Sequence, residues 1–309
     1  MFRKFALIST LATYILIFIG GLVRVAGAGL GCPDWPKCFG RWIPPLDVSQ
    51  IPAGVNAAGF NFTLAWIEYL NRLAGVIVGL LILTTAILAL KNFRDKKIIF
   101  YPAILAAFFV AIQGWYGSVV VSSQLNPIAV SVHMFLALII VGLLIYVTQH
   151  AYYLESKQTQ EKKADFDKTK NWIYVLLAVI LIQIITGTQL RSQIEILSEK
   201  FPLLFEMEIL SRVGVINYLH TIIGLAVTIL TIFVVYNLFL KKENLNSFMR
   251  LNLILIINMI FVQLAVGVGM EVFGIPPVLQ VFHMWIASLF FGVVLMLYIE
   301  IKTYRIEND

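Results

Sequence analysis

The chain has 309 residues, of which 60% are hydrophobic and 13% charged, with a mean hydropathy of +0.88. Soluble domains carry about 45–50% apolar and roughly 25% charged residues, so a water-soluble enzyme, a disordered segment, a fibrous repeat and a disulfide scaffold are excluded. A polytopic α-helical membrane protein remains, because a membrane barrel alternates polar and apolar residues, and the formal charge of +6 matters less than where the charges stand.

Apolar runs of about 20 residues, the length that crosses a bilayer core, predict eight spans. They lie at 5–25, 64–90, 98–121, 128–150, 172–190, 213–240, 251–270 and 278–301. The first run is longer than a signal-peptide core and no small-residue cleavage site ends it, so it reads as a retained span. Sixteen of the 23 Lys and Arg residues fall at the two termini and in the loops around Lys91, Lys157–Lys170 and Lys241. The other seven are Arg24, Lys37, Arg41, Arg72, Arg191, Lys200 and Arg212. The positive-inside rule therefore predicts cytoplasmic termini in a cell membrane. Loops 26–63 and 192–212 then lie outside, with short outer turns at 125–127 and 274–277.

The two sets of four spans repeat one another. Gln113-x3-Gly117, Pro127 and His133-Met134-x2-Ala137 match Gln263-x3-Gly267, Pro277 and His283-Met284-x2-Ala287 at a constant offset of 150. Tyr69-Leu70-Asn71-x3-Gly75 matches Tyr218-Leu219-His220-x3-Gly224 at 149, and Gly20-x3-Arg24 matches Gly187-x3-Arg191 at 167. A four-span unit returns the chain to its starting side, so the halves share one topology. The expected fold is two four-helix bundles related by a pseudo-two-fold axis along the membrane normal. The halves are 1–150 and 171–309, joined by a cytoplasmic linker at 151–170.

Ionisable residues inside a membrane are functional by default. His220 and His283 stand at similar depth, about 10 and 8 Å below the outer ends of their spans. Two neutral imidazoles facing across a bundle hold haem iron; the alternative is that each bonds a neighbouring hydroxyl or carbonyl. In the first half His133 stands where His283 does, but Asn71 replaces His220. Asn is a poor iron ligand, so this half offers at most one histidine and either an open site or a lost one. Glu68 lies one turn outward of Asn71 on the same face, available to take protons or stabilise a cation, or to pair with Arg72 at i,i+4. His150 lies at the cytoplasmic interface, about 25 Å of helix from His133, a spacing that argues against a dihaem cytochrome b. Gln113, Gln263 and the glycines around them read as helix–helix glue.

The first outer loop carries Gly31-Cys32-Pro33-Asp34-Trp35-Pro36-Lys37-Cys38-Phe39-Gly40. On an oxidising side Cys32 and Cys38 can pair, as a staple or as a reducible redox pair. Two thiols without a nearby histidine do not make a zinc site.

Taken together these residues resemble the haem A synthase family across the whole chain: two four-span halves, the Cys-bearing outer loop, Glu-x-x-x-Arg on the second span, and histidines on spans four, six and eight. The resemblance implies an oxidoreductase that converts a ring methyl of the substrate haem O to the formyl group of haem A. It implies haem b on His220 and His283, haem O held by His133 with Asn71 and Arg72 beside it, catalysis by Glu68, and the cysteine pair Cys32 and Cys38. The mechanism read from it is two hydroxylations at one carbon and loss of water from the geminal diol. Haem O synthase and cytochrome oxidase assembly are its implied context. The electron donor or acceptor is unidentified, a homo-oligomer is compatible with the fold, and no nucleic-acid partner is expected. The departure is Asn71, where the family pattern has histidine. The rival readings are a haem-binding electron-transfer protein that modifies no haem, and a parallel-repeat transporter.

Overall fold

The computed structural model describes residues 1–156, 166–241 and 245–306; residues 157–165 of the expected linker lie outside the described residues. The chain folds into helices α1 (Phe2–Val25), α2 (Phe62–Asn92), α3 (Lys97–Ser122), α4 (Pro127–Ser156), α5 (Asp167–Lys200), α6 (Glu206–Arg212), α7 (Val215–Phe239), α8 (Ser247–Val272) and α9 (Pro277–Ile306). Among the described residues all of these but α6 are long and apolar enough to cross a membrane, eight in number as expected. In hydrocarbon every backbone amide must find its partner within the segment, which is why apolar runs of this length become helices.

The helix starts are set by local chemistry. The side chains of Asn61 and Asn246 accept hydrogen bonds from Leu64 N–H (3.1 Å) and Met249 N–H (2.8 Å) at the first turns of α2 and α8. Pro127 and Pro277 open α4 and α9, where a missing N–H costs nothing. The tight turns before them reverse the chain with left-handed residues, Gln124 and Leu125 in one, Gly274 and Ile275 in the other.

Helix α5 departs from expectation. It continues ten residues past the predicted end at Leu190, into the segment read as an outer loop, and its 34 residues reach about 50 Å at 1.5 Å per residue. Residues 191–200 contain no Gly or Pro to break the helix, and Pro202 stops it by disfavouring the helical conformation at Phe201. Lys200 and Arg212 then pack over the Phe201 ring at 5.5 and 5.1 Å, joining the ends of α5 and α6.

The chain forms two compact units, Met1–Val147 and Thr148–Asp309. In the first, α2 packs between α1 and α3, around a core of Val78, Ile82, Ala106, Ile140 and Leu144. A hydrogen bond between the buried hydroxyls of Ser9 and Thr85 (3.0 Å) ties α1 to α2. In the second, α5 packs on α7 and α9, and α8 on α9. The buried carboxylate of Glu300 gathers Asn246 Nδ2 (2.6 Å), Gln149 Nε2 (3.3 Å) and the Tyr153 hydroxyl, clamping the ends of α4, α8 and α9. His150 is buried beside the Tyr153 ring in the same region. This cluster lies about 25 Å along α9 from His283.

Candidate functional site

The first outer loop folds around its cysteines. Cys32 and Cys38 form a disulfide with Cα atoms 4.7 Å apart. The Asp34 carboxylate accepts from the N–H groups of Phe39 (2.6 Å) and Gly40 (2.8 Å), closing the turn beyond it. Gly31 lies directly on α2: a Cβ there would stand 2.3 Å from the Leu64 carbonyl oxygen, so only glycine lets the loop approach this closely. Farther along the loop the Asp47 carboxylate accepts from the Ser49 hydroxyl and backbone N–H, and those bonds hold its pKa below the usual value.

Glu68 and Arg72 stand beneath that loop, one turn apart on α2, and form the ion pair their spacing suggested. Glu68 is 4% exposed. One carboxylate oxygen accepts from Cys32 N–H at 2.7 Å, and the other from Arg72. The guanidinium also donates to the carbonyls of Asp34 (2.8 Å), Lys37 (2.9 Å) and Cys32 (3.1 Å). The structure thus joins Glu68, Arg72, Cys32 and Cys38 into one constellation, with both carboxylate oxygens engaged and directed at the disulfide loop.

His133 projects from α4 against α3. Gln113 Nε2 donates to its carbonyl at 3.0 Å, the helix-joining bond expected of that glutamine. Its Cε1 lies 3.9 Å from where a Cβ on Gly117 would stand, and the Tyr116 ring stacks beside it at 6.4 Å and 20°. The His133 Nδ1 is buried without a hydrogen-bond partner. Asn71 is half-buried, and its side chain makes no hydrogen bond among the described residues.

The second unit brings its two histidines together. The His220 and His283 rings lie 6.2 Å apart, with planes at 61°, and each has a buried Nδ1 without a partner. Two metal–imidazole bonds of about 2 Å, with the distance from each nitrogen to its ring centre, span roughly 6 Å, so one ion fits between them. Two protein ligands alone suit a metal that brings its own equatorial donors, as haem iron does. Among the described residues no group of three or more His, Cys, Asp and Glu side chains is placed to hold a bare metal ion.

Sequence reasoning missed what holds His220. Gln183 on α5 donates to the His220 carbonyl at 3.0 Å and lies 3.4 Å from its Nε2. Gly187, one turn on, leaves space for the ring, since a Cβ there would approach Cε1 at 3.0 Å. On α8 Gly267 does the same for His283, at 3.4 Å. At the repeat offset Gln183 corresponds to Leu16, so it is not one of the identities the halves share. Gly20, the counterpart of Gly187, has nothing within 4 Å of its would-be Cβ. The first unit thus lacks the glutamine, the crowded glycine and the histidine together.

The chain matches the COX15-CtaA family, described as cytochrome oxidase assembly protein, over residues 3–295. It is 26% identical to a protein named heme A synthase from Wolbachia sp. subsp. Brugia malayi, over 90% of each chain. It is 26% identical to the heme A synthase of Ehrlichia ruminantium, over 95% of this chain and 91% of that one. It is 29% identical to the heme A synthase of Geobacillus kaustophilus over 156 residues; there the chain spans less than half the relative's length, 44% of it against 50% of this chain.

Proposed function

We propose that this chain, which belongs to the COX15-CtaA family of cytochrome oxidase assembly proteins and so to the haem A synthases, oxidises a ring methyl of haem O to a formyl group. The observation that carries the reading is the His220–His283 pair, half-buried, 6.2 Å apart and with a buried, unpartnered Nδ1 on each ring, in a chain of that family. These two residues would hold haem b, which supplies one-electron transfer and no open coordination position for chemistry. Gln183 orients His220 through its bond to the histidine's carbonyl.

The substrate belongs to the first unit. His133 is its one imidazole and holds the haem O iron from one side. Asn71, whose amide is uncommitted, faces the other and provides a hydrogen-bond donor where the family has a second histidine. Glu68 accepts protons as oxygen from water is added to the methyl carbon in two successive two-electron oxidations, whose electrons leave to an external electron acceptor, and the geminal diol then loses water. Arg72 keeps that carboxylate beside the disulfide loop. With both termini cytoplasmic, these groups lie in the outer half of the membrane.

Expression with a source of haem O, followed by mass spectrometry of the extracted haems, tests the reading. Haem A or its hydroxylated precursor alongside haem b supports it. Haem b alone, with haem O recovered unchanged, replaces it with an electron-transfer protein.

The asymmetry between the halves makes a further expectation. Asn71→His restores an imidazole opposite His133, so the haem-loaded protein should gain a second low-spin signal, up to about double the wild-type intensity per chain. A low-spin signal that stays at the wild-type level counts against His133 as an iron ligand.

A further inference from the structure

The two units differ at more than one place around their histidines. Gly117 and Gly267 are repeat counterparts, and each lies against the histidine of its unit, His133 or His283. The residue before each is not the same: Tyr116 in the first unit, Val266 in the second. The Tyr116 ring lies beside the His133 imidazole, 6.4 Å away and only 20° from parallel. Its hydroxyl has no hydrogen-bond partner among the described residues. Tyr116 is half-buried, and a tyrosine that only packs within a membrane would bond its hydroxyl to a carbonyl or a neighbouring side chain. On α2 the same exchange recurs. Trp66, whose buried Nε1 also lacks a partner, corresponds to Val215 in the second unit.

An imidazole bound to haem iron stands upright on the porphyrin plane. A ring nearly parallel to that imidazole is upright to the same plane. With its centre 6.4 Å from the imidazole centre, it is within reach of the periphery of a tetrapyrrole held there, where the methyl, vinyl and propionate groups are attached. Valine at the counterpart position reaches less far and offers no donor. A site that only transfers electrons tolerates haem bound in either of its two flipped orientations, whereas a site that oxidises one methyl group must present that methyl.

We propose that Tyr116 is a specificity-determining residue of the first unit, fixing which edge of the substrate haem is presented by packing its ring and hydroxyl against a peripheral substituent. The inference rests on the reading that His133 holds the substrate haem. Tyr116 itself takes no part in bond making. Its counterpart valine leaves the second unit without such a selector.

Proton NMR of the ferric full-length protein, loaded with haem O in detergent, reads this directly, because the hyperfine-shifted haem methyl signals split into two sets when haem binds in two orientations. The wild type should show one dominant set for the first-unit haem. Tyr116→Val should show two sets of comparable intensity, a loss of about tenfold in orientational preference, which is the scale of one hydrogen bond and its packing. Tyr116→Phe, which keeps the ring and loses the hydroxyl, should show a preference between those of the wild type and Tyr116→Val. The His220/His283 haem signals should not move in either variant and report that the fold is intact. A single unchanged set in Tyr116→Val overturns the proposal while leaving the function standing. A wild type that takes up no haem besides that of the second unit overturns the reading of the first-unit site, and the role of Tyr116 with it.

Discussion

Replacing His220 or His283 by alanine should abolish the low-spin haem spectrum of the purified protein. Low-spin iron requires two strong axial ligands, and the second unit has two imidazoles 6.2 Å apart, with no third His, Cys, Asp or Glu grouped there among the described residues to stand in for one that is lost. The effect of each single variant should therefore be as large as that of the double variant, since one remaining imidazole leaves the iron five-coordinate. His283→Met offers a subtler check. Thioether ligation in place of imidazole keeps two axial ligands but raises the reduction potential, so the protein should remain coloured and become easier to reduce.

The residues behind His220 predict a graded series in the same measurement. Gln183→Leu installs the first unit's residue, removes the bond to the His220 carbonyl and leaves the ligand itself in place. Loss of such a supporting contact weakens metal binding by about 10–100-fold. Gly187→Ala brings a Cβ to 3.0 Å from the imidazole and should turn the ring or displace α5, with a loss of similar size. An unchanged low-spin spectrum in both alanine variants of the histidines would reject the ligand assignment outright.

Much of this arrangement is legible in the sequence, for a physical reason. In a chain that is 13% charged, each polar residue inside a span stands out against an apolar background, and its depth follows from counting. Hence the eight spans, the His220–His283 pair and the Glu68–Arg72 ion pair could all be anticipated. What escaped was of two kinds. Helix α5 runs on to Lys200 because residues 191–200 are compatible with helix outside a membrane as well as inside, and hydropathy marks only where the hydrocarbon ends. Gln183, Tyr116 and Trp66 escaped because repeat matching finds what the halves share, and each of these is a place where they differ. The partners of Glu300 escaped because Gln149, Tyr153 and Asn246 come from other helices, and helical periodicity orders residues along one helix but carries no register between helices.

Glu68→Gln and Glu68→Ala separate two tasks that the structure superimposes on one carboxylate. As an anchor, Glu68 accepts from Cys32 N–H and pairs with Arg72, fixing the disulfide loop on α2. As the proposed proton acceptor it must also exchange protons with the reacting site. Glutamine keeps a carbonyl oxygen for Cys32 N–H, and Arg72 retains its three loop carbonyls, so the loop should stay in place. The amide cannot take a proton, so conversion of haem O to haem A should fall by about 10²–10⁴-fold, the usual contribution of a positioned acid or base. Alanine removes the acceptor as well and leaves a buried N–H unpaired, at a cost of about 1–3 kcal/mol. Glu68→Ala should therefore lose turnover and also expose Cys32–Cys38 to a membrane-impermeant phosphine reductant, read as faster alkylation of the freed thiols. Glutamine should share the first defect and not the second. Normal turnover in Glu68→Gln with slow alkylation would leave Glu68 as the anchor of the loop and move the proton acceptor elsewhere in the first unit.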